Sequence, residues 1–437
     1  MEVIYDHCAG LDVHKKTVVA CRLRPDAKGQ VAPESKTFGT TTPELLLLAD
    51  WLAEAEITHV AMESTADYWK PVYNLLEGEF EVWLVNAKHV HNVPGRKTDI
   101  SDAEWLADLL RHGLLRASFI PPQPQRDLRD LTRYRTKLVQ ERARQANRLQ
   151  KLLESANIKL ASVATDTLGK SGRDMLAALI EGQTDVEVIA ELARGRLRKK
   201  IPALKQALTG LMRPHHRFLL AQQLAHIDFL DEQINTLSQE IADHLEADQT
   251  DQLPSPDLEP AQPEPVPGQP LSFNQAIALL DTIPGVNQRT AEVIVAELGT
   301  DMSRFPTVKH ATAWAGLAPG NNQSAGKRYS GKTRDGNQAL QAALSEAAWA
   351  ATRTKDTYLS AQYRRLAARR GKKRAIVAVA HSILVSIYYM LSRHEPYREL
   401  GADYFDERKK TSVVNHLLKR LEKLGFAVAL DPVATAA

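Results

Sequence analysis

Over residues 1 to about 115, short apolar runs alternate with helical patterns, and this alternation limits the fold more than any other feature of the chain. "HCAGLDVH" and "TVVACRL" read as paired strands, "THVAMES" as a strand ending at Glu63, and "FEVWLVN" as one more. Between them, "TTPELLLLADWLAEA" reads as a helix with a threonine cap and Pro43 near its start, and "DYWKPVYNLLEG" as a helix closed by Gly78. Strand runs followed by strand–helix alternation predict an α/β domain on a mixed sheet.

From Arg126 the character changes. Ten Lys and Arg stand against four Asp and Glu between Arg126 and Leu160. Leu128, Leu131, Leu138, Leu149, Leu152 and Leu153 recur there at helical spacing, so the segment predicts a long basic amphipathic helix. Residues 171 to 248 continue mostly helical. Within them "FLLAQQLAHIDFLDEQINTLSQEIADHL", Phe218 to Leu245, carries Leu and Ile at roughly heptad spacing, the pattern of a coiled-coil dimer contact or of a plain bundle helix. Residues 250 to 270 hold seven prolines and no Lys or Arg, which reads as an extended linker. The predicted organisation is an α/β domain over 1–125, a basic helical region over 126–249, a linker over 250–271 and a helical C-terminal domain over 272–437.

A chain of 437 residues is long enough for several cores, and its net charge of +3 is too small to identify a nucleic-acid partner by itself. Cys8 and Cys21 make neither a disulfide framework nor a metal spacing, which fits a reduced, cytoplasmic protein. Met1 to Ala9 lacks the apolar core of a signal peptide. The most apolar run, Ala375 to Leu391, falls short of the ~20 residues of a membrane span and contains His381, Ser382 and Ser386. It reads as a buried helix with a core histidine, and no membrane partner is expected.

The acidic residues suggest chemistry. Asp12 ends the first strand and Glu63 ends a later one, and in α/β sheets strand ends gather where sites form. "KTDISDAEWLADLL" sets Asp99 and Asp102 three apart at the opening of a helix, on one face of it. Acids in a first turn also satisfy the helix dipole, so each piece has a plain structural explanation. Taken together, four carboxylates at one edge suit Mg²⁺ or Mn²⁺, and two such ions about 4 Å apart can act on a phosphodiester.

The order strand-Asp, strand-Glu, helix Asp-x-x-Asp resembles the RuvC-like branch of the ribonuclease H fold. "GLDVHKKTVV", "AMESTADYWKPVYNLLE" and "KTDISDAEWLADLLRHG" together resemble the DEDD transposases of the IS-one-ten family of insertion sequences, which includes Piv-type DNA invertases. The resemblance covers roughly residues 5 to 150 and implies Asp12, Glu63, Asp99 and Asp102 as an acidic tetrad.

"LLDTIPGVNQRTAEVIVAELG", Leu279 to Gly299, resembles a helix-hairpin-helix module whose turn at Gly285 offers N–H groups to a phosphate; a plain helical hairpin capped by glycine has the same pattern. "WAGLAPGNNQSAGKRYSGKTRDGNQALQAALSEAAWAA" reads as two helix ends around an exposed loop, with Lys327, Arg328, Lys332 and Arg334 as a cationic patch. "RRLAARRGKKR", Arg364 to Arg374, has seven basic residues in eleven, and Arg369, Arg370, Lys372 and Lys373 read as a nucleic-acid footprint. By composition, Ser324 and Ser330 are turn or phosphate contacts. The loop is similar to the C-terminal domain of the same family, which implies a serine nucleophile at Ser324. Ala325 separates Ser324 from Gly326 where many relatives have Ser-Gly directly, and Ser330-Gly331 has that dipeptide, so Ser330 stays a rival.

The resemblance implies a DNA transposase or recombinase that cleaves and rejoins strands through a phosphoserine, in a site drawing on both the acids and the distant serine. It implies DNA partners, a structured guide RNA and a dimer or tetramer. The alternative is a metal-dependent RuvC-like nuclease or junction resolvase using activated water.

Overall fold

A computed structural model describes residues 2–26, 29–64, 67–86, 90, 101–251, 270–320, 322–324, 326–330, 333, 336–408 and 410–428. The chain divides into two compact units, Met1–Pro121 and Pro122–Ala437.

In the first unit, the strands are β1 (Cys8–Val13), β2 (Thr17–Pro25), β3 (Val31–Gly39), β4 (His59–Glu63) and β5 (Glu81–Val85). They form a mixed sheet in the order β3-β2-β1-β4-β5, antiparallel from β3 to β1 and parallel from β1 to β5. The helices are α1 (Thr42–Ala53), α2 (Trp69–Leu76) and α3 (Asp102–Arg111). The α/β mixed sheet is as the alternation predicts. Thr41 does precede α1, but its side chain makes no capping hydrogen bond.

Strand alternation sorts the side chains to two faces. Ala9, Leu11 and Val13 of β1 and Val60 and Met62 of β4 pack with Leu45, Leu48 and Leu52 of α1 and Val72 and Leu76 of α2. Cys8 and Ala61 face the other way, into a second core with Ala103, Leu106, Ala107 and Leu110 of α3. Burial pushes the Cys8 thiol up to about 12 and raises that of Cys21, so neither cysteine supplies a thiolate.

Gly10 lies on the α3 face, where a Cβ would sit 2.1 Å from the Ala103 carbonyl oxygen and 2.5 Å from the Ala107 nitrogen. Helix backbone cannot yield as a flexible side chain does, so α3 docks on β1 only over a glycine. Gly10→Ala is therefore expected to cost about 3 kcal/mol, read as a lower urea midpoint at unchanged slope. A midpoint equal to wild type would show that α3 is not seated as described.

β3 was not expected from the sequence. Of its nine residues only Phe38 is buried, and it pairs with β2 alone as an edge strand. It is tied down by Glu34, which accepts a hydrogen bond from buried Arg22 at 2.9 Å; Arg22 also stacks over the Trp51 ring at 4.1 Å. The Arg22 hydrogen bond holds the Glu34 carboxyl below its ordinary range.

In the second unit, α4 (Gln123–Ser155) and α9 (Pro214–Asp251) run antiparallel as a two-helix arm. The direction follows from His244 meeting the Pro124 carbonyl at 3.0 Å while Leu138 packs with Leu230 and Ile234. Between them α5 (Leu160–Val163), α6 (Lys170–Glu181), α7 (Val186–Glu191) and α8 (Ile201–Leu208) form a knob at one end of the arm, with Leu149, Leu153, Met175, Leu204, Leu220 and Ile227 in its core. At the other end lies a helical body of α10 (Phe273–Asp281), α11 (Gln288–Leu298), α12 (Val308–Trp314), α13 (Gln338–Ala351), α14 (Tyr358–Arg370) and α15 (Lys372–Arg393). α16 (Tyr404–Glu407) and α17 (Lys410–Lys423) follow.

Two features follow from the packing. The stripe Leu220, Ile227, Ile234, Ile241, spaced seven apart, is buried within this chain, in knob, arm and body in turn. The body core takes Leu128, Ile241 and Leu245 from before the proline-rich segment together with Ile277, Leu344 and Ile383 from after it. α15 is the one described helix long and apolar enough to cross a membrane; its buried stripe, including Val379, Ile383 and Ile387, packs in that core. Burial lowers the pKa of His381 on the same helix.

Candidate functional site

Parallel register builds the acidic edge. β1 and β4 pair as Cys8 with His59 through Leu11 with Met62, so Asp12 and Glu63 are the next positions on neighbouring strands, about 4.8 Å apart strand to strand. Both belong to the alternation phase of Gly10 and Ala61, the face that α3 covers. The Cys8 Sγ lies 3.5 Å from the Ala107 carbonyl, whereas the space above Gly10 is filled by Ala103. α3 therefore runs opposite to β1 and starts at the strand end that carries Asp12. Its first residue is Asp102, exposed, after the N-cap Ser101, whose hydroxyl accepts the Glu104 N–H at 3.2 Å.

Asp12 and Glu63 thus lie on neighbouring strands and on one face, and Asp102 opens the helix that packs on that face. Asp99 lies outside the described residues, so the expected pair on one helix face is described only at Asp102. The Asp12 carboxylate meets His14 Nε2 at 3.0 Å. His14 was not singled out from the sequence, although its two-residue offset from Asp12 was there to be read. Among the described residues, no group of three or more His, Cys, Asp or Glu side chains is gathered closely enough to hold a metal. The donor chemistry nonetheless suits a hard cation: Asp12, Glu63 and Asp102 offer carboxylate oxygens only.

In the second unit, the predicted exposed loop contains a short hairpin, β6 (Asn322–Ser324) and β7 (Lys327–Ser330). Ser324 pairs with Lys327 and Asn322 with Ser330, and Gly326 between the strands has φ +75°. The sequence reading missed these strands because they carry no apolar alternation. Lys327 is exposed; Lys332 and Arg334 lie outside the described residues, and of Arg328 only the backbone is described.

Gly285 has φ +90°, and a Cβ there would come within 2.4 Å of the backbone of Ala347 and Ala351 in α13. Close approach to α13 alone accounts for this glycine. Asn287 caps the following helix by accepting the Thr290 N–H at 2.9 Å.

Arg369 and Arg370 end α14, and Lys372 and Lys373 begin α15, all exposed around Gly371 at φ +83°. Cations favour a helix C-terminus but oppose the dipole at an N-terminus. Lys372, Lys373 and Arg374 stand at the unfavourable end.

The basic helix α4 is less free than its composition suggests. Among its nine cations, Arg129 and Arg133 pair with Glu297, Arg135 with Glu292 and Arg142 with Asp231, and Lys159, just past its end, pairs with Glu154. Glu297 is fully buried and also accepts from Asn337 Nδ2 at 2.6 Å, while Asn337 Oδ1 caps α13. Desolvation lowers the pKa of Arg129, and Glu297 opposes that shift. Arg129, Arg133 and Arg135 bind the arm to the body, and Arg142 ties the two helices of the arm together.

A family model described as a transposase matches residues 9–158, and a second, described as the transposase family of IS116, IS110 and IS902, matches residues 277–364. The chain is also similar to a transposase for insertion sequence element IS1111A from Coxiella burnetii (strain RSA 493 / Nine Mile phase I), 33% identical over 129 residues. That match spans 29% of this chain and 35% of the relative. The first model bounds the segment with Asp12, Glu63 and Asp102, and the second bounds the hairpin with Ser324.

Proposed function

Because the chain belongs to the IS110 family of transposases, we propose that it is a DNA transposase that cleaves and rejoins the strands of a mobile element. The observation that carries this reading is the adjacency of Asp12 and Glu63 on parallel strands, with the start of α3 and Asp102 on the same face. The strand order, with β1, β4 and β5 parallel, supports a ribonuclease H-like reading of the first unit.

Asp12, Glu63, Asp99 and Asp102 would hold a divalent ion, Mg²⁺ or Mn²⁺. When bound, it supplies positive charge to the phosphate and lowers the pKa of a coordinated hydroxyl. Ser324 Oγ attacks the phosphorus: a serine–phosphate ester forms, a DNA P–O bond breaks, and the serine proton passes to the leaving oxygen, so that the freed strand end leaves as a hydroxyl. A strand-end hydroxyl then attacks the phosphoserine, joining DNA and restoring the serine. Lys327 and Arg328 neutralise the phosphate oxygens. Lys332, Arg334, Arg369, Arg370, Lys372 and Lys373 hold backbone phosphates, as do the N–H groups near Gly285. The repulsion of three cations at the start of α15 supports that role, since a bound phosphate would relieve it. A structured guide RNA and a dimer or tetramer complete the assembly.

The test is a strand-exchange assay on element-end and target DNA with the RNA that co-purifies. Exchange and a denaturation-resistant protein–DNA adduct are expected with Mg²⁺ or Mn²⁺, and both are expected to vanish with a chelator. Exchange that persists in excess chelator would sink the reading.

A further inference from the structure

The knob of the second unit has no part in the function proposed above, yet residues 156–213 carry ten Lys and Arg against six Asp and Glu. Five of the ten cations are paired: Lys159 with Glu154, Arg194 with Asp174, Arg198 with Glu191, Lys205 with Glu187, and Arg173 with Asp228 and Asp231 on α9. Among the described residues, Lys170, Arg196, Lys199 and Lys200 have no carboxylate within ion-pair distance, and all four are exposed. Three of them, Lys170, Arg196 and Lys200, line one cleft of about 310 Å³. Lys200 Nζ donates to the Val163 carbonyl at 3.0 Å, which fixes one cation at the wall. Asp166 also lines the cleft, but its carboxylate accepts the Leu168 N–H at 3.0 Å. Three cations against one anion leave the cleft positive.

We propose that this knob is a second nucleic-acid site, a cationic cleft that holds phosphodiester backbone through Lys170, Arg196 and Lys200, with the exposed Lys199 beside it in sequence as a fourth cation. Exposed cations without paired acids suit a polyanion, whose phosphates gain from contact without base readout. The arm sets the reach. Leu128 lies in the body core and Leu149 in the knob core, on one continuous helix. At 1.5 Å per residue the two cores stand ~32 Å apart, close to one turn of duplex. The knob therefore grips backbone about one helical turn from whatever the body holds. The inference rests on the transposase reading only for the class of ligand.

The test uses the full chain, with a random-sequence DNA duplex and a single-stranded RNA as probes, and the combined variant Lys170→Gln, Arg196→Gln and Lys199→Gln. If three phosphate contacts are lost, the slope of log affinity against log salt falls by about 2.7 on the duplex and about 2 on the RNA. On the duplex, that makes the loss of affinity between about 50 and 200 mM salt some 40-fold smaller than in wild type. A reduced slope with only one probe supports the site and identifies DNA or RNA as its ligand. Unchanged slopes with both overturn the proposal. Lys205→Gln, which removes a paired cation, is the control expected to leave the slopes alone. Amine acylation of the unaltered protein gives a readout that needs no variant: Lys170, Lys199 and Lys200 become less reactive when nucleic acid is bound, and equal reactivity overturns the proposal. Neither measurement depends on catalysis, so failure here leaves the transposase reading standing, and an inactive Asp12 variant leaves this one standing.

Discussion

Asp12→Asn is expected to lower strand cleavage by about 10³-fold or more while leaving the protein folded with an unfolding temperature within a few degrees of wild type. The first half follows from electrostatics at the sheet edge. Asp12 and Glu63 end adjacent parallel strands, and α3 brings Asp102 to their face. Removing one charged oxygen donor from such a set weakens the hold on a divalent ion, and loss of several kcal/mol of charge stabilisation at phosphorus corresponds to three or more powers of ten in rate. The second half follows from position. Asp12 is partly exposed, its carboxylate meets the exposed His14, and the β1 core on either side of it belongs to Gly10, Leu11 and Val13. Asparagine also removes the repulsion with Glu63, so stability holds or rises. Mn²⁺ should raise the unfolding temperature of wild type and not of Asp12→Asn, a readout of ion binding that does not pass through activity. His14→Ala should keep both ion binding and most of the rate, since its imidazole only meets one oxygen of Asp12. An Asp12→Asn protein that cleaves at the wild-type rate would remove the acids from the mechanism.

The sequence made some of this visible and concealed the rest for identifiable reasons. Four of the five strands of the first unit announce themselves because each is buried on both faces or ends at a turn. β3 does not: "VAPESKTFG" buries one side chain, and its strand character comes from the free edge of β2. Asp12 and Glu63 were legible as strand-end acids, but their adjacency was not, because it depends on the β1–β4 register across fifty residues. Gly10 looked ordinary until α3 stood on it. The basic helix was legible as a helix and misleading as a surface, since its arginines find Glu297, Glu292 and Asp231 only in the folded unit. The heptad stripe of α9 offered a partner in another subunit or in the same chain, and the antiparallel run of α4 supplies one within the chain. β6 and β7 escaped because backbone pairing around Gly326, rather than buried side chains, defines them.

The hairpin sets up the other large effect. Ser324→Ala should abolish the covalent protein–DNA adduct and lower strand exchange by at least about 10⁴-fold, because the group proposed to form the ester is gone and neutral water is a poor substitute. Ser330→Ala should stay within a few-fold of wild type. The two serines are both on short strands and both among cations, so composition does not separate them; the register does. Ser324 faces Lys327 in the pair that borders Gly326, whereas Ser330 faces Asn322 at the far end. A nucleophile beside the turn has a cation across the strand to offset the charge that builds on the phosphate oxygens, and no side chain at Gly326 to obstruct the DNA. Neither substitution should shift unfolding, since alanine removes one hydroxyl from a two-stranded ribbon. The assay is electrophoresis of end-labelled DNA after denaturation, with and without protease, alongside exchange products. An adduct that survives in Ser324→Ala and disappears in Ser330→Ala moves the nucleophile to the other strand. Cleaved ends that accumulate without any adduct, in wild type and both variants alike, hand the reaction to activated water and make the protein a nuclease of the ribonuclease H type.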